Sequence, residues 1–161
     1  MSFTAQIQAA APREEHCIAI KPGGLSESKQ GHHVFEGISA QSTGARALCM
    51  HVIAIPAGGR ARAHLHENHE SAVYMVEGEV ICWYGDHLQH RFTVRAGEMA
   101  YIPAGVPHLP INASAQEPVT CIVARTDPSE QESVVVLPEL EALAHTHPAA
   151  ANVIALDSAR R

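Results

Sequence analysis

An all-β fold, a sandwich or small barrel, is what the sequence predicts. Two observations carry this. Short apolar runs rich in Val, Ile and Ala recur along the chain, each bounded by Gly, Pro, Asn or Asp, as strands joined by turns are. Only one segment, near the C-terminal end, has the i, i+3, i+4 apolar spacing of a helix.

In chain order the expected strands are 16–20 (HCIAI), 47–55 (ALCMHVIAI), 61–66, 71–77 (SAVYMVE), 79–84 (EVICWY), 90–95 (HRFTVR), 99–102, 119–125 (VTCIVAR) and 133–137 (SVVVL). Gly85 and Asp86 open a hairpin connection to His90, although GDHLQ is longer than the tightest hairpin loop. Between Lys21 and Gly44 the composition shifts to Gly, Ser, Gln and Lys, with His32, His33 and Phe35 in the middle; this reads as an irregular stretch with at most one strand. Pro138 suits a first helical turn, and Leu140, Leu143 and Ala144 supply the helical spacing. Glu139 and Glu141, at the start of that helix, complement its dipole. The resulting division is an N-terminal arm with one or two strands over 1–46, a barrel over 47–137, and a helix with an Ala-rich tail over 138–161.

A chain of 161 residues, 46% of them hydrophobic, fits one domain around one core. Its net charge of -6 and its 11 Lys+Arg argue against nucleic acid or an anionic membrane surface as the main partner, and leave a small molecule. The opening MSFTAQIQAAAP has neither a basic n-region nor a long apolar run, and no stretch approaches the ~20 apolar residues of a membrane span. A cytoplasmic location is therefore expected. Cys17, Cys49, Cys82 and Cys121 are widely spaced without a CxxC pair and read as reduced thiols, three of them in apolar strand-like runs. Gly23-Gly24 lacks the strand, helix and Lys of a phosphate loop, and no GxSxG elbow accompanies any serine.

His64 and His66 flank a single residue, and on a strand such positions project from one face. Both imidazoles can then reach one metal ion. His108 supplies a third from a stretch framed by Pro103, Gly105 and Pro107; Gly97 and Gly105 suit turns with unusual backbone angles, and the prolines stiffen the loop. Three protein nitrogens leave coordination positions open to water or substrate, which separates a catalytic metal site from a closed structural one. Imidazole with a carboxylate suits Fe, Mn, Zn, Ni or Cu, so the residue types call for a divalent transition metal without choosing it. A second HxH, His145 and His147, has no framing turn and is read as chance.

The stretches 58–78, GGRARAHLHENHESAVYMVEG, and 97–112, GEMAYIPAGVPHLPIN, resemble the two conserved elements of the cupin superfamily. Gly97, Pro103, Gly105, His108 and Asn112 meet every position of the second element. Gly58, His64, His66 and Gly78 meet the first, apart from its carboxylate. The likeness extends over roughly 47–125. It implies a double-stranded β-helix, the antiparallel cupin jelly roll, with a divalent metal bound inside the mouth of the barrel and, as in many small cupins, a homodimer in which the 21–44 arm can make a contact.

Seven positions before Gly78, where cupins usually carry Glu, this chain has Ser71, and the neighbouring carboxylate is Glu70. Strict alternation points Glu70 away from Ser71's face; a one-residue bulge would turn it inward. Glu70 is the preferred fourth ligand, with His69, of Ser71's parity, as the alternative, and a site of three histidines as the third possibility. Arg60, Arg62, His64 and His66 alternate without interruption, so a regular strand puts the arginines at the barrel mouth, where Arg62 is expected to hold an anionic substrate in two-pronged geometry. A strand beginning only near Ala63 would leave both arginines at the rim. His51, Trp83, Tyr84 and Tyr101 are further pocket candidates, with His51 and Tyr101 assigned to catalysis. The leading functional expectation is a metal-dependent enzyme, a dioxygenase or related oxidoreductase, acting on a small anionic oxygenated substrate. A sugar or sugar-phosphate isomerase, with His51, His69 or Glu70 moving a proton, is the second, and a non-catalytic binding barrel the third.

Overall fold

Period-two alternation turns into strands through most of the chain. The computed structural model describes residues 16–129, 131 and 133–146, with side chains through residue 142. The leader reading of the first twelve residues, the Ala-rich tail and His147 lie outside the described residues. The strands are β1 (Leu25–Glu27), β2 (His33–Ile38), β3 (Cys49–Ile55), β4 (His64–His66), β5 (Ser71–Glu77), β6 (Glu79–Tyr84), β7 (His90–Arg95), β8 (Met99–Ile102), β9 (His108–Asn112), β10 (Val119–Arg125) and β11 (Val134–Val136), with helices α1 (Ala40–Thr43) and α2 (Pro138–Thr146).

Two antiparallel sheets result, one ordered β1-β2-β3-β10-β5-β8 and the other β11-β4-β9-β6-β7. Strands far apart in sequence thus lie side by side, as in the double-stranded β-helix that the sequence implied. Burial alternates along each strand. On β10, Val119, Cys121, Val123 and Arg125 are buried while Thr120, Ile122 and Ala124 are half-buried. Ile53, Ile55, Met75, Val80, Val94, Val119 and Val123 meet between the sheets as the main core. A second cluster, Ala63, Trp83, Leu88, Leu109 and Leu140, packs α2 against the five-stranded sheet. Outside the six-stranded sheet, Tyr74, Val76, Met99 and Tyr101 are exposed. Cys49, Cys82 and Cys121 are buried thiols outside any disulfide, and Cys17 is an exposed one.

Several boundaries differ from expectation. Residues 16–20 form no strand and are exposed; an apolar run alone, with no paired neighbour, does not make one. The 21–44 stretch carries a hairpin, β1–β2, rather than at most one strand. Its turn holds Gly31 at φ +84. The Pro-framed segment 108–112 is itself a strand, β9, although Pro110 has no N–H to give to the ladder. Pro110 contributes its carbonyl instead, accepting from the Ala61 N–H at 3.0 Å. Strand β4 is shorter than 61–66 because the segment before it is held by α2: Glu141 accepts from the Ala63 N–H and pairs with Arg60 at 2.7 Å. Glu141 therefore anchors the approach to the paired histidines, beyond any part it plays with the helix dipole.

Asn112, the last residue of the second motif, is 4% exposed and ties two loops together. Its Nδ2 donates to the carbonyls of Ile55, Pro56 and Glu117 at 3.2, 2.9 and 2.9 Å, and its Oδ1 accepts from the Ser114 N–H at 2.8 Å. Asn112→Ala orphans these buried groups and is expected to cost about 2 kcal/mol or more. Thermal denaturation should show a Tm several degrees lower with metal binding retained; an unchanged Tm would contradict this structural role.

Candidate metal centre

The two motifs meet because β4 and β9 are neighbours, with His64 and His108 directly opposite each other in register. His66 lies two residues along the same face of β4. The His64 ring centroid is 4.1 Å from that of His108 and 5.0 Å from that of His66. One nitrogen from each of the three imidazoles lies within 4.8 Å of the others, and the residues are 2%, 2% and 3% exposed.

Local backbone contacts aim the rings. His64 Nδ1 lies 2.7 Å from the Arg62 carbonyl, and His108 Nδ1 lies 2.9 Å from the Val106 carbonyl. A carbonyl only accepts, so each Nδ1 carries the proton and each Nε2 keeps its lone pair for the centre. The loop before β9 is fastened to β4 by the Gly105 N–H, which donates to the His66 carbonyl at 2.7 Å; Gly105 has φ +74, a backbone state that glycine adopts freely. Burial is the main force keeping all three imidazoles neutral. It lowers the His64 pKa well below its usual value, with His108 and His66 adding to the effect. Burial and the Arg125 charge bring His66 down to about 2, and burial brings His108 down to about 4. Neutral imidazoles with converging lone pairs are the donor set that a divalent transition metal requires.

The fourth corner differs from the preferred expectation. Glu70 is exposed and outside the three-histidine group; its carboxylate accepts from the Tyr101 hydroxyl at 2.8 Å. The β5–β10 ladder does contain a bulge, but it falls between the Cys121–Met75 and Thr120–Glu77 pairs. The register at Ser71 is undisturbed, so Glu70 keeps its outward parity. His69 is 1% exposed and its ring stacks 4.4 Å from His66. Its Nδ1 faces Ser133 Oγ at 2.7 Å and Asp127 at 3.5 Å, and it too lies outside the group.

Ser71 occupies the inward position instead. It lines a cavity of about 70 Å³ together with the three histidines, His32 and Arg125, over apolar walls that include Ile53, Val73 and Phe92. Arg125 is 5% exposed and has no carboxylate within ion-pair distance among the described residues. Neither Arg125 nor His32 was among the sequence candidates. Arg125 was legible in principle, since Val119, Cys121, Val123 and Arg125 share one face of a strand. His32 comes from the tip of the β1–β2 hairpin, which no periodicity reveals.

The other candidates fall elsewhere. Arg62 is exposed and its N–H donates to the Gln30 carbonyl at 2.7 Å; the hairpin tip packs against it, and His32 reaches the interior. Arg60 is engaged by Glu141. His51 is buried outside the cavity lining, where its Nδ1 accepts from the Gly37 N–H at 2.9 Å. Tyr101 is 60% exposed on the outer sheet face. Trp83 sits in the second core, and Tyr84 packs beside His90 and Phe92.

Comparison with known proteins places these residues in context. A family model described as a cupin domain matches residues 51–125. No curated protein matches the chain. Among solved structures, the chain is similar to an oxalate decarboxylase–formate complex from Lactobacillus farciminis (20% identity, TM-score 0.61, covering 81% of this chain and 40% of that one). It is also similar to a recombinant oxalate oxidase in complex with glycolate (21%, 0.59, 73% and 60%). A third is a conserved protein with a double-stranded β-helix domain from Klebsiella pneumoniae (14%, 0.56, 70% and 89%). The chain thus spans less than two thirds of the decarboxylase and of the oxidase, and these likenesses establish the fold.

Neutral burial of the histidines fixes the pH response of the metal-free protein. The unfolded chain protonates these imidazoles near 6.5, whereas the fold does so only near about 4 at His108 and about 2 at His66. Below 6.5 the unfolded state binds more protons, so stability falls as pH falls through 6.5 toward 4. Thermal melts of metal-free protein should show Tm declining across that window; a Tm that is flat from pH 7.5 to 5 would contradict the assignment.

Proposed function

Residues 51–125 are a cupin domain, and from that premise we propose that the chain is a metal-dependent enzyme of the oxidoreductase class acting on a small carboxylate. His64, His66 and His108 hold the metal, and Arg125 holds the substrate. A divalent transition metal in this site supplies Lewis acidity to a substrate oxygen, and metals such as iron or manganese supply redox chemistry as well. The observation that carries the reading is Arg125, a buried guanidinium facing neutral imidazoles in one cavity, with no carboxylate partner among the described residues. Unpaired buried charge is costly, so an anionic ligand is the natural partner of this side chain.

The cavity, about 70 Å³ in volume, suits a small ligand. The similar structures holding formate and glycolate support the same class of ligand. The mostly apolar walls lower the local dielectric and strengthen the attraction between Arg125 and a carboxylate. His32, 5% exposed at the hairpin tip, adds an imidazole to the cavity lining. Arg60, engaged by Glu141, and Arg62, exposed, do not line the cavity, so neither supports a sugar-phosphate ligand there.

The test is metal analysis of protein purified without added metals, followed by oxygen uptake and product analysis with two- to four-carbon carboxylates. Bound transition metal and turnover of one such acid are expected. His64→Ala should lose the metal, and Arg125→Met should raise KM about tenfold or more with metal content unchanged. A protein that binds none of Fe, Mn, Zn or Ni, or one whose turnover is indifferent to Arg125→Met, would overturn the proposal.

A further inference from the structure

The inward position at the start of β5 combines two buried polar groups that the protein leaves unused. Ser71 is 2% exposed and its Oγ has no hydrogen-bond partner among the described residues; across the ladder its paired residue is Arg125, whose buried Nε likewise has none among them. Both face the cavity that contains the three histidines. Charge makes this corner unusual. The histidines are neutral and Arg125 carries one positive charge. Adding a divalent cation raises the total to three positive charges in an apolar-walled cavity, with no carboxylate of the described residues in the metal-ligating group. Like charges brought together in low-dielectric surroundings repel strongly. Metal alone is therefore opposed by Arg125, and an anion alone gains only Arg125.

We propose that a small carboxylate anion takes the place of the missing protein carboxylate. It would lie between the three-histidine centre and Arg125, with Ser71 Oγ donating to it, so that metal and anion bind as a mutually dependent pair. The inference rests on the metal centre proposed above and adds the coupling. Ser71 leaves both the space and the unneutralised charge that the anion fills. Linkage requires that the factor by which the anion tightens metal equal the factor by which metal tightens the anion.

The experiment is titration of metal-free protein with Co(II), in chloride alone and with saturating formate or acetate at matched ionic strength. In the native protein the carboxylate should tighten Co(II) by between about five- and 150-fold, the span of ordinary coupling between sites. Ser71→Glu should bind Co(II) tightly in chloride alone and lose the carboxylate effect. Arg125→Met should bind Co(II) in chloride at least as tightly as native protein and also lose the effect, an outcome that a purely structural role for Arg125 would not produce. Equal Co(II) affinity of the native protein with and without carboxylate overturns the coupling and leaves the metal centre standing. Absence of Co(II) binding under every condition overturns both.

Discussion

The cross-strand pairing of His64 with His108 is the contact on which the site depends. It joins two motifs more than forty residues apart at one point in the five-stranded sheet, and His66 follows by the parity of β4. That strand is only three residues long, and little of its placement is intrinsic. β11 pairs with it along its full length. The Gly105 N–H fastens the ligand loop to it, and Glu141 of α2 holds the segment leading in. The C-terminal helix, remote in sequence, is thus part of the machinery that aims the histidines.

Electrostatics then give the cavity its character. Burial keeps the imidazoles neutral, and backbone carbonyls fix the tautomers of His64 and His108. Among the described residues the one strong charge lining the cavity is Arg125, and the inward position that would carry a carboxylate carries Ser71 instead. A cavity with a cationic group and cation-binding donors, and no acid among the described residues that line it, is complementary to an anion that meets both. The glutamate beside that position is spent on the surface, where it accepts from Tyr101.

Much of this was legible in the sequence, for identifiable reasons. β5, β6, β7, β8 and β10 begin and end where the alternation does, because one face of each meets the core while the other meets solvent or a thinner layer. The three histidines were legible because spacing on a strand is also geometry. β9 was obscured by Pro103 and Pro107, which read as loop punctuation, although the strand follows at once and uses the carbonyl of Pro110 within it. Arg62 looked like a ligand-holding residue from its parity with His64. Regular strand begins only at His64, and the β1–β2 hairpin, invisible to periodicity, packs against it and brings His32 inward. Arg125 was hidden in plain pattern as the polar end of an apolar face. A charged residue closing such a run has no partner visible in sequence, and its significance emerges only when the register sets it beside Ser71.

X-ray absorption on Co(II)- or Mn(II)-loaded protein before and after adding formate tests the three-histidine centre most directly. Three imidazole ligands with no protein carboxylate are expected, and one additional carboxylate oxygen on adding formate. A Glu70 carboxylate already in the shell, shown by a spectrum that changes in Glu70→Gln and not on formate addition, would contradict it.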